Sequence, residues 1–345
     1  MERQYVLLTM SSVPSLNTTR ASIQLTPLPP DGFSAPQLGE TVTRNLDQRQ
    51  CLLWSAKYGP KAWVRTYCAR FEPNAQETLT KISMLLTRLL GEAESSTLLI
   101  SAPSHETPIT DERLPPPWHY LISGISQQNL DKLVAWQVLS TPDITVFIVP
   151  FTQPLPNYIC TLENFPLPDT PNSSAKVAQI VKSTLHRAPD IGDLLTAEGV
   201  DYADAYKAIE SFAVTSFRVS ISATKKQTLW NVYCMKPPQI ALDKFFRWAK
   251  AIRRLEFFSE DFGVGVARTG DRQFQCVGCK AVDHPTAFCP FPLIPGWCGP
   301  VAPTDNTLSA SNNSPPSQPR TQTMPNHRGR GTPRGRGKSQ RGARK

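Results

Sequence analysis

An α+β fold is what these 345 residues predict. Three observations lead to it. Short apolar runs alternate as strands do, longer stretches repeat their apolar residues at three and four, and in the middle of the chain these patterns follow the order strand, helix, strand, strand, helix. The length accommodates two modest globular units plus tails, since domains commonly run to about 100–150 residues. Thirty-three prolines, clustered in "LTPLPPDG", "RLPPPW", "PFTQPLP" and "NFPLPDTP", mark boundaries and rigid loops.

Residues 1–40 are rich in Ser, Thr and Pro without helical periodicity and read as mostly disordered or loosely draped. An α+β unit over 41–152 follows. "QCLLWSAKYGPKAWVRTYCARF" has two apolar runs about Gly59-Pro60, which suggests two strands or a strand and a loop. Leu79, Ile82, Leu85, Leu86, Leu89 and Leu90 define an amphipathic helix ended by Gly91. "STLLIS" reads as a strand, Leu130, Leu133, Val134 and Val138 as a helix, and "ITVFIVP" as a strand.

A second unit is expected over 157–268. "YICTLENF" is a strand, and Val177, Ile180, Val181 and Leu185 share a helical face. "DIGDLLTAEG" and "DYADAYKAIESF" read as further helical pieces, and "FAVTSFRVSIS" and "TLWNVYCM" as strands paired across "ATKKQ". Leu242, Phe245, Phe246, Ala249, Ile252 and Leu255 line a helix preceded by Pro237-Pro238 and followed by Gly263. Closed by "FGVGVAR", this order is that of a ferredoxin-like split βαβ unit, which is also the order of an RNA-recognition domain. In that comparison Phe217, Trp230 and Tyr233 are the nearest base-stacking candidates, although Phe217 and Trp230 equally suit a core. The last helix also carries Lys244, Arg247, Lys250 and Arg254, either a solvated face or a secondary phosphate-facing ridge.

Charge and cysteine usage narrow the chemistry. Residues 301–345 hold nine Lys or Arg against one acid, Asp305, so nearly all of the net charge of +9 lies there. Within "NHRGRGTPRGRGKSQRGARK", Arg328, Arg330, Arg334, Arg336 and Arg341 each precede glycine, and Lys338, Arg344 and Lys345 add charge. Such a disordered basic segment, joined by a Ser/Asn/Pro/Thr-rich linker, fits RNA or single-stranded nucleic acid with little sequence preference. No apolar run has the length to span a bilayer, and the N-terminus lacks a secretory pattern, which reads as a cytoplasmic or nuclear protein without a membrane partner. Cys51, Cys68, Cys160 and Cys234 are scattered like reduced thiols. No GxxxxGK[ST], HExxH, GxSxG or GxGxxG stretch is present, and His105, His119 and His186 stand apart in the sequence, so no enzyme is expected.

The remaining cysteines carry the sharpest signal. "CVGCKAVDHPTAFC" places Cys276, Cys279, His284 and Cys289 as CX2CX4HX4C, the four donors of one closed structural Zn2+ site with no position left for catalysis. The loop has too few apolar side chains to build a core, so the ion supplies its folding energy. Cys298 reads as a packing residue or spare thiol.

This spacing is that of the CCHC zinc knuckle of retroviral nucleocapsid and retrotransposon gag proteins. The wider segment over 272–300, "QFQCVGCKAVDHPTAFCPFPLIPGWCGP", resembles the knuckle region of gag-like or first-open-reading-frame proteins of fungal retroelements. The resemblance implies RNA binding, packaging into a ribonucleoprotein, chaperoning of annealing, and homo-oligomerisation of the folded region. Where such knuckles often have an aromatic and two glycines, this chain has Val277, Lys280 and Asp283. Lys280 is then expected to attract phosphate and Asp283 to repel it. Base stacking is left to Phe274, Phe288 or Trp297, and a protein partner for the knuckle is the alternative.

Overall fold

The structure is a computed structural model that describes residues 23–70, 72, 74–105, 117–222 and 224–303. Residues 23–40 carry no helix or strand, yet they are anchored: Thr26 N–H donates to the Ser140 carbonyl at 3.0 Å and Phe33 is buried.

The first regular element is a helix, α1 (Gln48–Ala56), where the apolar run had suggested a strand. Its ends explain it. The Asp47 carboxylate accepts from the Gln50 N–H at 2.8 Å, and the Lys61 ammonium donates to the carbonyls of Trp54, Ser55 and Lys57 at 2.7–2.9 Å. An acceptor at the N-cap and a cation at the C-terminus satisfy groups that a short helix leaves open.

There follow β1 (Lys61–Thr66), α2 (Gln76–Leu90), α3 (Glu92–Ser95), β2 (Leu99–Ser101), β3 (Tyr120–Ser123), α4 (Gln127–Trp136), β4 (Val138–Ser140) and β5 (Thr145–Pro150). Val138, expected on a helix, opens β4 instead, because Gln137 takes a left-handed φ of 57° that ends α4. Then come β6 (Tyr158–Glu163), α5 (Pro171–His186), α6 (Pro189–Ala197), α7 (Tyr202–Glu210), β7 (Phe212–Ser220), β8 (Lys226–Cys234), α8 (Leu242–Ile252), β9 (Glu256–Ser259) and β10 (Gly263–Ala267). The long apolar pattern of α8 thus stops at Ile252, and the "EFFS" that follows it is strand β9, joined to β10 through Gly263 at φ 75°.

Among the described residues these strands make two five-stranded antiparallel sheets, ordered β2-β3-β1-β5-β4 and β7-β8-β6-β10-β9. The two orders are the same permutation. In both, the first strand lies in the centre, the next two form one flank and the last two the other. The chain therefore runs one mixed α+β topology twice.

Each sheet packs helices on one face. Ala62, Val64, Ile122, Val146 and Ile148 meet Ile82, Leu86 and Leu133 in the first, and Leu162, Trp230 and Val232 meet Val177, Val181, Phe245 and Trp248 in the second. Side chains alternate across a strand, so the intervening residues point to the helix-free faces. There Trp63 and Leu121 are covered by Val42, Leu46 and Trp54, while Phe147 and the neighbouring Tyr67 meet residues of the cysteine loop. Loop and sheets share one unit of the chain.

Candidate metal centre

The cysteine loop is built from tight turns. Lys280 N–H donates to the Cys276 carbonyl at 2.9 Å, with Lys280 at φ 58°, and Cys276 N–H donates to the Ala281 carbonyl at 2.8 Å. The Val277 N–H donates to Thr286 Oγ1 at 2.9 Å, which ties the first pair of cysteines to the turn that carries Cys289.

Folded this way, Cys276, Cys279, His284 and Cys289 bring their donor atoms within 4.8 Å of one another, and Cys279 Sγ lies 3.4 Å from His284 Nε2. A tetrahedral zinc with bonds of about 2.3 Å to sulfur and about 2.0 Å to nitrogen separates its donors by about 3.5–3.8 Å. The residues fit: a CCHC-like cluster able to hold one Zn2+ in a structural role. All eight cysteines are unpaired, and the three in the cluster are buried. Hydrogen bonds among the donors push the Cys279 thiol up and pull the Cys289 thiol down. Burial opposes charge on His284, but bonds to Asp283 and to the thiolates of Cys276 and Cys289 raise it to about 11. A metal takes the place of those shared protons, which makes its affinity fall with acid.

The surroundings come from both sheets. After β1, Tyr67 O–H donates to Cys289 Sγ at 3.4 Å, and Cys68 N–H donates to the Gly278 carbonyl at 2.7 Å. From the second sheet, Tyr233 O–H donates to Asp283 Oδ2 at 3.2 Å and Asn231 Nδ2 to the Asp283 carbonyl at 2.7 Å. Thr161 O–H in turn donates to Asn231 Oδ1 at 2.6 Å. Val282 N–H donates to the Gln37 carbonyl at 2.9 Å, so the N-terminal segment also borders the loop.

Asp283 has a different role from the phosphate-repelling one expected of it. Its Oδ1 lies 2.6 Å from His284 Nδ1, so the imidazole donates there and leaves Nε2 for the metal. A carboxylate behind a ligating histidine fixes its tautomer and ring orientation. Lys280 is half-buried, with its ammonium 5.1 Å from the Trp118 ring centroid, and desolvation with nearby Arg65 lowers it to about 8. Cys298 is no donor to the cluster: its thiol meets the Ser140 carbonyl at 3.0 Å and Thr26 Oγ1 at 3.3 Å.

The flanking aromatics divide. Phe274 is buried with Val219 and Leu229, 5.9 Å from Phe217 and beneath the Arg268 guanidinium at 4.7 Å. Trp297 packs on Tyr67 and Phe291 at 5.8 and 6.1 Å and donates its N–H to the Pro300 carbonyl. Phe288, 5.5 Å from Phe217, is 43 % exposed. Of the stacking candidates on the second sheet, Trp230 lies in the helix-side core and Tyr233 under the loop.

On α8, Lys244 pairs with Glu198 at 2.8 Å while Arg247 and Lys250 are exposed; Arg254, expected on the same helix, lies exposed in the turn after it, because α8 ends at Ile252. Arg328, Arg330, Arg334, Arg336, Lys338, Arg341, Arg344 and Lys345 lie outside the described residues. Nothing in the local sequence of Tyr67 or Asn231 ties them to a loop more than 40 residues away, and Tyr233, a base-stacking candidate by its strand position, holds Asp283 instead. Among the described residues no helix is long and apolar enough to cross a membrane. Comparisons with models of protein families, with curated proteins and with solved structures find no match to this chain.

Proposed function

We propose that this protein binds nucleic acid, RNA in particular, with the zinc centre as an internal fastener between two α+β sheets and the Arg-Gly segment as the main contact with the strand. The observation that carries the reading is the division of chemistry: the four donors are enclosed against both sheets, whereas the sequence concentrates free positive charge in residues 327–345. A ferredoxin-like assignment of the second unit is part of the proposal. It is supported by the placing of β6 between β8 and β10 with β7 outermost, β9 being an added edge strand. The helix-free face that stacks bases in RNA-recognition domains is here turned toward the loop, which favours binding through the segment rather than through that sheet.

A cellular zinc-knuckle protein, binding RNA or a protein partner, suits these features better than a retroelement particle protein. The gag-like reading is supported only by knuckle spacing and by the order of folded region, knuckle and basic segment. The test compares the full chain, a deletion of residues 327–345, and Cys276→Ser/Cys279→Ser for single-stranded RNA binding across a salt series. Loss of binding and of salt dependence on the deletion, with loss of zinc and thermal stability in the cysteine variant, is the expected pattern. Parental RNA affinity after the deletion refutes it.

A further inference from the structure

Strand β7 is the outermost of one flank of the second sheet and runs nine residues, Phe212–Ser220, in unbroken register with β8. The other outer strands are short: β9 has four residues, β2 and β4 three each. Just beyond the ends of β7, the Met235 N–H donates to the Ser211 carbonyl at 3.2 Å and the Ile221 N–H to the Lys225 carbonyl at 2.8 Å. Antiparallel partners alternate between pairs that exchange main-chain bonds and pairs that exchange none. The odd-numbered residues of β7 therefore face β8, and Val214, Ser216, Arg218 and Ser220 turn their N–H and C=O groups outward. Among the described residues no other strand or loop backbone bonds to those groups. Open edges are ordinarily blunted by proline, a bulge or charge, and β7 has only Arg218.

The edge also carries complementary charge. Arg218 is exposed, and so is Asp169, whose Oδ1 accepts from the Ser216 hydroxyl at 2.5 Å. Neither has an ionic partner among the described residues. We infer that β7 is the interface with a second copy of this chain, the two β7 strands pairing antiparallel about a two-fold axis at Phe217 and joining two five-stranded sheets into one. An isologous contact makes each pair twice. In this register Val214 meets Ser220 and Ser216 meets Arg218 as hydrogen-bonded pairs, so each Arg218 reaches the Asp169 that holds the opposing Ser216. The two Phe217 side chains oppose each other on the other face, an aromatic cross-strand pair. Between α5 and the edge, a groove of about 650 Å³ lined by Ala175, Ala178, Phe212 and Val214 has room for the stem of the opposing Arg218. A contact of one strand with another is small for a protein interface, so association is expected at micromolar concentrations. None of these residues belongs to the cysteine loop or the Arg-Gly segment, and the pairing is independent of the RNA reading.

The experiment is sedimentation equilibrium of the nuclease-treated full chain from about 1 to 100 µM, with folding checked by circular dichroism. The parent is expected to pass from monomer to dimer over that range. Arg218→Glu and Asp169→Lys should each weaken the dimer at least about 10-fold, since each change counts twice across the axis. Combined, Arg218→Glu/Asp169→Lys should return it to within about 3-fold of the parent. Ser220→Pro removes an outward N–H while leaving the bonds to β8 intact, and should leave the chain monomeric up to about 100 µM. A parent that stays monomeric overturns the proposal and leaves the edge to an extended segment of another protein. A dimer indifferent to Ser220→Pro overturns it too, as do single charge variants at parental strength or a double variant no stronger than the single ones. Should Ser220→Pro not fold, the charge exchange decides.

Discussion

Gly278→Ala is the most direct probe of how the cysteine loop seats on the first sheet. A Cβ at Gly278 meets the Tyr67 ring at 2.3 Å from both Cζ and Oη, and at 2.7 Å from Cε2. Carbon contacts are ordinarily about 3.5–4.0 Å, so the loop and ring must separate by roughly 1.2 Å or more. The ring has nowhere to swing. Tyr67 is 5 % exposed and lies among Phe147, Trp297 and Phe291 at 6.3, 5.8 and 6.5 Å between ring centres. Overpacking of this kind costs about 1–3 kcal/mol. At about 2–4 °C per kcal/mol for a domain of roughly 200 residues, the midpoint should fall by about 2–12 °C in a thermal scan of the zinc-loaded protein. In a Tyr67→Leu background the obstacle is gone, and Gly278→Ala should then cost less than about 0.5 kcal/mol. Full additivity of the two substitutions, or a parental midpoint for Gly278→Ala alone, refutes the packing of loop on sheet from which the interior placement of the metal follows.

Other outcomes test separate parts of the molecule. Asp283→Asn removes the carboxylate behind His284 and should weaken zinc binding about 10–100-fold in chelator competition while leaving the apo-protein's secondary structure unchanged by circular dichroism. Phe245→Ala, at a fully buried position of the second core, should cost about 3–5 kcal/mol in denaturant unfolding. His119 is held well below the ordinary histidine value by burial and then by nearby Arg65, so the folded state keeps it neutral while the unfolded chain takes a proton below about pH 6.5. That difference stabilises the fold above the unfolded value and turns against it as the pH drops, by up to about 1.4 kcal/mol per pH unit. His119→Phe should flatten the fall in unfolding free energy between about pH 6.5 and 5 relative to the parent, and an identical slope refutes it.

Much of this architecture was legible locally. Apolar periodicity located α2, α5, α8 and β5 to β8 because each buries one face against a sheet or is covered on both, and burial is written into spacing. The four donors were legible for a similar reason: chelation by a short loop requires ligands close in sequence. Where the reading differed from the structure, the deciding groups were remote or conformational. Helix α1 depends on Lys61 reaching back over its last carbonyls, and β4 begins at Val138 because Gln137 turns left-handed. The strand β3 is four residues long, too short for periodicity to announce.

The sequence by itself determined a metal-binding CCHC loop, a mixed α+β chain and a separate Arg-Gly segment, because those properties reside in spacing and composition. Only the tertiary structure decided that both sheets share one strand order and that Tyr67, Asn231 and Tyr233 border the loop. It likewise decided that Asp283 serves His284. Tyr67, Asn231 and Tyr233 lie 50 or more residues from the loop positions they meet, whereas Asp283 adjoins its histidine, and strand pairing rather than chain proximity brings the distant ones together. A buried charge or a ring without room to turn is a property of what surrounds it, and the surroundings exist only once the sheets have formed.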